Sequence, residues 1–354
     1  MALFKYLEEN KKAIHLHLDQ NLAITQFPNT PYLHESIKRI VNFMQEGKML
    51  RSALVTLSYN FLSKTSNPRI LNAALSIELI HSSFLIHDDI MDNDILRRGQ
   101  KTVFAQYKDY ALSKKLTMDP LFYGQGMAIC VGNIASILAF KLLSQSSTKE
   151  SVLENVFDIF TREVARVNGA QMLDFHYGGL KQKDEPTPEE IIEMYRNKAA
   201  RYTFSLPLVM GGLLAKADSA TITSLDTMGE NLGIVFQIKD DEIELYSLEA
   251  EIGKPVGSDI RENKKTFIRS LLYSLANTHE KTTLSTIYGN QKLTTKQIEY
   301  VKGLIEKYNV RQTLVKKMEN LSVKALRILD KTNGNTTCKN TLKELIEYNV
   351  SRTK

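Results

Sequence analysis

Cysteine, tryptophan, proline and glycine are all scarce in this sequence. Its 354 residues include two cysteines, no tryptophan, 8 prolines and 17 glycines. The two cysteines, Cys130 and Cys338, lie far apart and match neither a disulfide framework nor a cysteine metal site, which favours a reducing compartment. Cys130 lies in an apolar run, so we predict that it is a small buried hydrophobe. The low glycine and proline content excludes collagen-like and low-complexity disordered chains.

Long hydrophobic runs are missing too. No uninterrupted apolar run reaches the roughly 18–20 residues of a membrane span, and residues 1–20 carry charges in every turn, unlike a signal peptide. We therefore expect a cytoplasmic protein without a transmembrane segment. Basic residues outnumber acidic ones by 46 to 40. No basic stripe with interleaved aromatic residues accompanies that excess, so the charge does not indicate a nucleic-acid partner.

Apolar residues at spacings of three and four dominate the chain, which predicts an all-α fold. Capping-box patterns begin at Thr187 and Thr294. No linker is visible, so we predict one orthogonal bundle of many helices in a single domain over residues 1–354. Helices are predicted around 31–62, 68–94, 122–145, 149–176, 187–216, 219–249 and 263–276. Loops are predicted at 26–31, 98–121, 178–187, 250–263, 277–294 and 331–338.

The most informative stretch is an apolar helix that ends in carboxylates, HSSFLIHDDIMD at 81–92. Asp88 and Asp92 lie one helical turn apart, where like charges repel unless a cation lies between them. Few protein oxygens around a hard cation suit Mg²⁺, which also binds substrate phosphates. Arg97 and Arg98 follow and could bind those phosphates. Taken alone, an acidic pattern this short could equally be a solvated helix end that binds no metal.

A second apolar helix ends in carboxylates about 150 residues later, GIVFQIKDDEIE at 233–244. Asp240 and Glu244 lie one turn apart on it. The loop at 253–264 contains glycines and cations and could close over a phosphate. Two such clusters in one helical chain make a solvated surface a poor explanation. Opposed across a bundle, they would hold several metal ions around one anionic ligand.

Together the motifs DDIMD…RRG and FQIKDDEIE…GKPVGSDIRENKKT resemble those of the trans-isoprenyl diphosphate synthases, which include the farnesyl, geranylgeranyl and longer polyprenyl diphosphate synthases. The resemblance extends from about Gly47 to Thr266. It implies an isoprenoid-synthase bundle with a central substrate cavity, in a homodimer. It also implies a prenyltransferase that condenses isopentenyl diphosphate with dimethylallyl, geranyl or farnesyl diphosphate. About three Mg²⁺ ions, for which Mn²⁺ can substitute, would assist ionisation.

The resemblance also implies a role for each matching residue. The Mg²⁺ ligands would be Asp88, Asp89, Asp92, Asp240, Asp241 and Glu244. The isopentenyl diphosphate pocket would be formed by Lys48, Arg51, His81 and Arg98. The allylic diphosphate would be contacted by Arg97, Lys198, Gln237, Lys254 and Lys264, with Gln171 and Asp174 matching a Q-x-x-D motif on a neighbouring helix. The residues that act in catalysis would be Asp88, Asp89, Asp92, Asp240, Asp241 and Lys198.

Several positions depart from the pattern of this family. Ser52 stands where a proline is usual, Asn133 where an aspartate of a Gly-Asp pair is usual, and Ala199 where a threonine is usual. Glu244 replaces the last aspartate of the second cluster, and segment 100–126 is longer than typical. Glutamate still ligates magnesium, so none of these departures removes a metal-binding carboxylate.

Two residues before the first cluster are candidates for setting product length. In the resembling family, large rings at the positions of Ser83 and Phe84 go with C15 products, and small residues at both go with C20 or longer. This chain has one of each, so we predict geranylgeranyl diphosphate, a C20 product, with C15 and C25 as neighbours. The two side chains lie about 6–8 Å before Asp88 along the helix axis.

Two other functions stay open at the level of sequence. A class I terpene cyclase also carries DDxxD on a helical bundle, but its second motif needs a hydroxyl residue four positions after the first acidic one. That position holds Glu244 when counted from Asp240, and Leu245 when counted from Asp241. The other alternative is a regulatory partner subunit of a prenyl diphosphate synthase, for which the departures at Asn133 and Ala199 would be an argument.

Overall fold

The computed structural model of the chain describes residues 2–22, 28, 30–181, 184–246 and 257–352. Helices account for most of them, which confirms the all-α prediction. The helices are α1 Ala2–Asn21, α2 Pro31–Gln45, α3 Leu50–Leu62, α4 Ile70–Met91, α5 Val103–Ser113, α6 Pro120–Leu143, α7 Glu150–Gly178, α8 Pro188–Tyr195, a π-helix Arg196–Ser205, α9 Leu206–Leu214, α10 Ser219–Tyr246, α11 Ser258–Arg261, α12 Phe267–Leu275, α13 Thr278–Ile287, α14 Thr295–Lys307, α15 Val310–Lys331 and α16 Thr336–Ser351. A short antiparallel hairpin joins β1 Leu96–Arg97 to β2 Gln100–Lys101.

The chain is organised as two compact units. One comprises Met1–Phe157 with Met210–Lys216, and the other comprises Asp158–Val209 with Ala217–Lys354. In the first unit α4 is the core helix and packs against α3 and α6. In the second unit α10 is the core helix and packs against the π-helix, α15 and α16. The single domain over residues 1–354 stays a prediction.

Glycine allows a close helix approach in each unit. In the first unit α6 meets α4 at Gly132, where an added Cβ would collide with the imidazole ring of His87. In the second unit α10 meets the π-helix at Gly233, where an added Cβ would collide with the backbone of Ala200. A side chain at either position would force the two helices apart, so glycine is required for both close approaches.

Several details of the predicted organisation are wrong. The predicted helix at 31–62 is two helices, α2 and α3, and the predicted loop at 250–263 contains α11. The predicted loop at 98–121 contains β2 and α5. Helix α5 forms because its apolar residues pack against α6. The predicted loop at 277–294 contains α13, which starts with a capping box at Asn277. Cys130 is exposed rather than buried. The apolar composition of α6 does not distinguish its exposed face from its buried face.

Two helices, α4 and α6, are long and apolar enough to cross a membrane when judged by length and composition alone. The search for uninterrupted apolar runs in the sequence missed both helices, because single polar residues interrupt their apolar segments. The same test is passed by core helices of soluble proteins, and 67% of the most apolar window of α4 is buried inside the protein. The corresponding value for α6 is 44%. These helices are therefore weak evidence for a membrane span.

The two predicted capping boxes are present. At the start of α8 the Thr187 hydroxyl accepts the Glu190 N–H, and the Glu190 carboxylate accepts the Thr187 N–H. At the start of α14 the same reciprocal bonds link Thr294 and Gln297. These bonds satisfy backbone groups that a helix start otherwise leaves without partners.

We expect Glu280→Gln to destabilise the second unit in a pH-dependent way. Glu280 accepts bonds from Lys307 and Tyr308, each at 2.6 Å, and it completes the capping box of α13. The Lys307 and Tyr308 bonds lower the pKa of Glu280 from 4.5 to about 2. A folded pKa below the unfolded value adds stability above pH 4.5, and this stability is lost as the pH falls toward 2.

Urea unfolding of the wild type and the variant at a series of pH values between 7 and 3 measures this effect. The difference in unfolding free energy should be largest at neutral pH and should shrink below pH 4.5. Glu299→Gln is the matched control, since Glu299 makes a longer and more exposed ion pair with Lys302. A difference that stays constant across the pH series would contradict the assignment.

Candidate active site

The first acidic cluster is at the end of α4. Asp88 is half-buried, the side chain of Asp89 is 1% exposed, and Asp92 is exposed at the helix C-cap. Arg97, from the hairpin, donates its Nε–H to Asp89 Oδ1 at 2.6 Å. Its guanidinium also lies 3.9 Å from Asp88 Oδ2. The first arginine of the RRG motif therefore already contacts the carboxylates of this cluster.

The first cluster fits a hard cation. The other oxygen of Asp89, Oδ2, is buried and has no hydrogen-bond partner among the described residues. Burial raises the pKa of Asp89 to about 6, although Arg97 opposes the shift. A buried carboxylate oxygen with unused lone pairs is a suitable ligand for Mg²⁺. In the described part of the chain no three acidic, histidine or cysteine side chains are gathered as a complete metal site. Mg²⁺ typically takes only one or two carboxylates and adds substrate phosphates.

Three of the four residues expected to bind isopentenyl diphosphate lie near one another. Arg51 is in the first turn of α3, and Arg98 is at the tip of the hairpin. Burial lowers the pKa of His81 well below its ordinary value, and the neighbouring charges of Arg51 and Arg98 lower it further. His81 is therefore neutral, so it can donate one hydrogen bond without adding charge. Lys48 is exposed in the loop before α3.

The hairpin turn positions Arg98. Arg98 and Gly99 both have positive φ, 52° and 75°, as a tight two-residue hairpin turn requires. Arg97 lies on the strand and contacts Asp89, while Arg98 lies at the turn itself. Arg97 thus contacts the first cluster directly, while both arginines line one cavity of the first unit.

Ser83 and Phe84, the predicted chain-length residues, have different environments. Ser83 is 1% exposed, and its hydroxyl accepts a 2.7 Å hydrogen bond from Ser136 of α6. Phe84 is only partly buried. The small side chain at Ser83 is therefore packed against α6, and a larger side chain there would have to displace that contact.

The second acidic cluster is on α10, and Asp241 is its most buried carboxylate. Gln237 Nε2 donates to Asp241 Oδ1 at 3.0 Å, and the Tyr195 hydroxyl donates to Oδ2. The same hydroxyl accepts the Phe267 N–H at 2.9 Å, so its single proton is directed to Asp241. Burial raises the pKa of Asp241 to about 7, and its two hydrogen bonds oppose that shift. Both oxygens of Asp241 therefore act as acceptors with fixed orientation.

Asp240 faces a cation from the last described residues of the chain. Arg352, at the C-cap of α16, donates to Asp240 Oδ1 at 2.6 Å and to the Phe236 carbonyl at 2.9 Å. Its guanidinium lies 4.0 Å from the centroid of the Phe236 ring. The side chain of Arg352 is 6% exposed, whereas that of Asp240 is 42% exposed. Asp240 thus forms an ion pair with a buried arginine and remains accessible to solvent.

Glu244 is held by the segment that follows the second cluster. The Ser258 hydroxyl and the Asp259 N–H, the latter at 3.0 Å, both donate to Glu244 Oε1. Asp259 itself has a pKa well above its ordinary value, because burial and the nearby Glu244 both disfavour its charge. Lys264 lies 3.7 Å from Asp259 and 2.8 Å from Glu262. Lys254 lies outside the described residues.

The π-helix carries Lys198, whose ammonium group is paired with Asp174 of α7. Gln171 lies one turn before Asp174 and is partly buried. The π-helix is anchored by Arg201, which binds Glu163 with two 3.0 Å bonds and reaches two further carboxylates on α10. A π-helix is rare and is often found at functional sites. Here it directs Lys198 and Arg201 to different carboxylates.

A cavity of about 350 Å³ in the second unit brings these groups together. Its walls combine five acidic side chains with three lysines, a combination that fits metal ions and an anion together. The polar lining residues are Asp174, Tyr195, Lys198, Gln237, Asp240, Asp241, Glu244, Asp259, Lys264, Lys265 and Thr266. Seven of these eleven residues are among those that the resemblance assigned to metal or diphosphate binding.

Three residues beside the second cluster lie outside the sequence motifs singled out for metal binding. Tyr195, Asp259 and Arg352 contact Asp241, Glu244 and Asp240 respectively. Asp259 lies within GKPVGSDIRENKKT, so the motif itself was a usable signal for it. Tyr195 and Arg352 have no comparable signal, because they are distant in sequence from the carboxylates that they contact.

Comparison with known proteins shows the family. The polyprenyl synthetase family model matches residues 30–305. A geranylgeranyl diphosphate synthase from Saccharolobus solfataricus is 32% identical over 316 residues, which are 88% of this chain and 88% of that protein. A farnesyl diphosphate synthase from Geobacillus stearothermophilus is 29% identical over 288 residues, 79% of this chain and 88% of that protein.

A solved structure of similar fold holds ligands of the expected kind. It is geranylgeranyl pyrophosphate synthase from Corynebacterium glutamicum, complexed with isoprenyl diphosphate and magnesium. It is 25% identical, with a TM-score of 0.88, and the match covers 99% of this chain and 100% of that chain. The likeness confirms an all-α fold of the isoprenoid-synthase type. The chain therefore belongs to the polyprenyl synthetase family and is a trans-isoprenyl diphosphate synthase, as its two acidic motifs indicate.

Proposed function

We propose that the chain extends an allylic diphosphate with isopentenyl diphosphate and releases mainly geranylgeranyl diphosphate. The observation that carries this proposal is the pair of carboxylate clusters, each at the acidic end of an apolar core helix. The relatives from Saccharolobus solfataricus and Corynebacterium glutamicum are both named for that product. The same metal-binding groups would serve any allylic chain length, so product length rests on other residues.

Magnesium would be held by Asp88, Asp89, Asp92, Asp240, Asp241 and Glu244. We propose about three ions, with Mn²⁺ able to substitute. When bound, Mg²⁺ stabilises the charge that develops on the leaving diphosphate. Tyr195 and Gln237 hold Asp241 in one orientation, so this carboxylate need not reorganise when a cation arrives.

Basic residues of the chain would bind the allylic diphosphate and favour its departure. Lys198, Lys264 and Gln237 line the cavity of the second unit, and Arg97 lies at the first cluster. We propose that Lys254 and Gln171 join them. Charge on the leaving group grows in the transition state, so these cations stabilise that state more than the ground state. Apolar residues on the turns before both clusters would exclude water from the allylic cation.

Isopentenyl diphosphate would be bound by Lys48, Arg51, Arg98 and neutral His81. Arginine binds a diphosphate with two parallel hydrogen bonds, which orients it as well as attracting it. The bound molecule then presents its double bond to the allylic cation. The released diphosphate would take the final proton, so we assign no side chain as the general base.

An assay of the purified chain tests this proposal. Isopentenyl diphosphate and farnesyl diphosphate with Mg²⁺ should give geranylgeranyl diphosphate, detected by chromatography after dephosphorylation. A terpene cyclase would instead release a hydrocarbon from a prenyl diphosphate alone. A regulatory subunit would show no turnover unless a partner synthase were added. Either outcome would overturn the proposal.

We further propose a cytoplasmic homodimer. Within the first unit, α6 exposes apolar side chains along one face, including Phe122 at 65%, Ile129 at 46% and Ile137 at 66%. A contiguous exposed apolar face of this kind is typical of an interaction surface. Light scattering on the purified protein gives its mass. Ile137→Lys should yield monomers if α6 is the interface, whereas unchanged mass would place the interface elsewhere.

Ser83→Phe should shift the products toward C15. The added ring occupies volume beside α6 that a growing chain would need, since Ser83 is small and packed against that helix. Phe84→Ala should lengthen the products if its ring limits the chain. Chromatography of the dephosphorylated products measures both effects.

Ser136→Ala is the control for Ser83→Phe. It removes the hydrogen bond to Ser83 without adding volume, so its product distribution should match that of the wild type. If Ser83→Phe and Phe84→Ala both leave the distribution unchanged, the residue that limits chain length lies elsewhere, and the assignment of these two positions fails.

A further inference from the structure

Helix α3 begins without a side-chain cap of its own. Its N-cap residue is Met49, which has a φ of 53° in the left-handed region and makes no side-chain capping bond. The first N–H groups of a helix need acceptors from elsewhere. Lys48 and Arg51 lie on either side of Met49, so the conformation of this turn determines the direction of both cations.

Glu78 supplies an acceptor from a different helix. Its Oε1 accepts the Ser52 N–H, in the first turn of α3, at 2.8 Å. Glu78 belongs to α4 and is 4% exposed. Burial raises the pKa of Glu78, while the charge of Arg51 and the bonds from the start of α3 oppose that shift. Glu78 therefore caps α3 from α4.

The serine at position 52 makes this cap possible. Proline, which is usual here in the resembling family, has no N–H to donate. The Ser52 hydroxyl also donates to the Met49 carbonyl at 2.8 Å, which fixes the left-handed N-cap residue. That hydroxyl accepts a 3.1 Å bond from Asn10 of α1. Serine in place of proline therefore adds two polar groups that both make bonds: the N–H, which binds Glu78, and the hydroxyl, which binds Met49 and Asn10.

The network continues along α1 and α3. The Thr56 hydroxyl donates to Asn10 Oδ1 at 2.8 Å, and Tyr6 lies 2.7 Å from the same hydroxyl. Asn10, Ser52 and Thr56 are 7%, 0% and 6% exposed. A satisfied network of buried polar groups specifies one arrangement, because each alternative leaves a polar group without a partner.

We propose that Glu78 and Ser52 are positioning residues for the isopentenyl diphosphate site, which they serve by holding the turn of Lys48 and Arg51 in its binding conformation. The inference rests on the proposed assignment of Lys48 and Arg51 to that substrate. Glu78 lies one turn before His81 on α4, so a single helix carries both the cap and a third group of the site. Helix α1 contributes to this positioning as well, because its Asn10 binds the Ser52 hydroxyl.

A purely structural role for this network makes a different prediction. Loss of core stability would lower the population of folded protein and affect both substrates alike. Loss of positioning would act on isopentenyl diphosphate alone, because the allylic site uses other residues. The ratio of the two affinities therefore separates the two roles, and thermal unfolding reports stability independently.

Calorimetric titration with each substrate and steady-state KM values form the test. Glu78→Met removes the acceptor and should weaken isopentenyl diphosphate binding by about 10-fold, as expected for loss of a helix cap. The allylic KM should stay within about twofold. Glu78→Gln keeps a carbonyl acceptor for the Ser52 N–H, so it should recover most of the lost affinity. Equal affinity losses for the two substrates, or a Gln variant no better than the Met variant, would overturn the proposal.

A milder pair of variants decides the case if Glu78→Met does not fold. Ser52→Ala removes the hydroxyl that links Met49 and Asn10, and it should raise the isopentenyl diphosphate KM by about threefold. Ser76→Ala is the matched control, since Ser76 is fully buried on α4 and its hydroxyl donates to the Ala73 carbonyl at 2.8 Å. The control should leave that KM unchanged. Identical KM values for the two serine variants would contradict the inference.

Lys48→Ala separates failure of this inference from failure of the proposed pocket. If Lys48→Ala weakens isopentenyl diphosphate binding while the Glu78 and Ser52 variants do not, the pocket stands and the positioning role is wrong. If Lys48→Ala also has no effect, the assignment of the pocket itself is wrong, and the inference falls with it.

Discussion

Replacing Asp88 or Asp240 with asparagine is expected to lower kcat by about 100- to 1000-fold, or about 3–4 kcal/mol of transition-state stabilisation. An amide is neutral and is a weaker ligand for Mg²⁺ than a carboxylate. The leaving diphosphate would then lose part of its charge stabilisation in the ionisation step. Both residues are accessible at their clusters, with side-chain exposures of 27% and 42%.

Steady-state kinetics at a series of Mg²⁺ concentrations measures this loss. Asp158→Asn is the control, because Asp158 is 73% exposed and pairs only with Arg162 among the ion pairs described. Asp240→Asn also removes the charge that faces Arg352, so thermal unfolding of this variant must accompany the kinetics. EDTA should abolish turnover, and added Mg²⁺ should restore it. Full turnover in EDTA would rule out the proposed mechanism.

Lys48→Ala and Arg51→Ala are each expected to weaken isopentenyl diphosphate binding by about 10- to 150-fold, the effect of losing a charge-assisted contact worth about 1.5–3 kcal/mol. Arg51 should show the larger loss. It is held by the first turn of α3 and is partly buried, whereas Lys48 is exposed and more hydrated. The affinity for the allylic diphosphate should change little, since its cations lie on the hairpin strand, the π-helix and the segment after α11.

Isothermal titration with isopentenyl diphosphate and with an unreactive allylic analogue measures the two affinities separately. Lys38→Ala is the matched control for Lys48→Ala, because Lys38 is an exposed lysine of α2 with no assigned role. The control should leave both affinities unchanged. Equal losses for both ligands in Arg51→Ala would mean that the two diphosphate sites are not separate in the way proposed.

Helical periodicity and the acidic motifs were readable from the sequence because both depend on local spacing. Residues three or four apart meet on a helix whatever its surroundings, so the Gln237–Asp241 bond was predictable from position alone. The capping boxes at Thr187 and Thr294 are equally local. The same reasoning failed for α5, where a weak local pattern becomes helical through burial against neighbouring elements. It also missed α13, although the capping box at Asn277 is a local signal.

The exposure of Cys130 and the buried position of Asp89 could not be read from spacing. Cys130 lies in a run that is apolar on every side, and only the packing of α6 against α4 decides which face is covered. Asp88 and Asp89 are adjacent and chemically identical in sequence. The helix turns the second of them inward, toward Arg97, and one of its oxygens has no hydrogen-bond partner within the part of the chain that the structure describes.

By itself, the sequence determined the all-α class, the family and the two carboxylate clusters, since these depend on residue types and on spacings within one helix. The tertiary structure alone decided which partners hold those carboxylates. Tyr195 reaches Asp241 across 46 residues, and Arg352 reaches Asp240 across 112. Glu78 caps a helix that begins 28 residues before it. Such contacts depend on the close packing of whole helices, and no local pattern encodes which distant side chain will fill a given buried hydrogen bond.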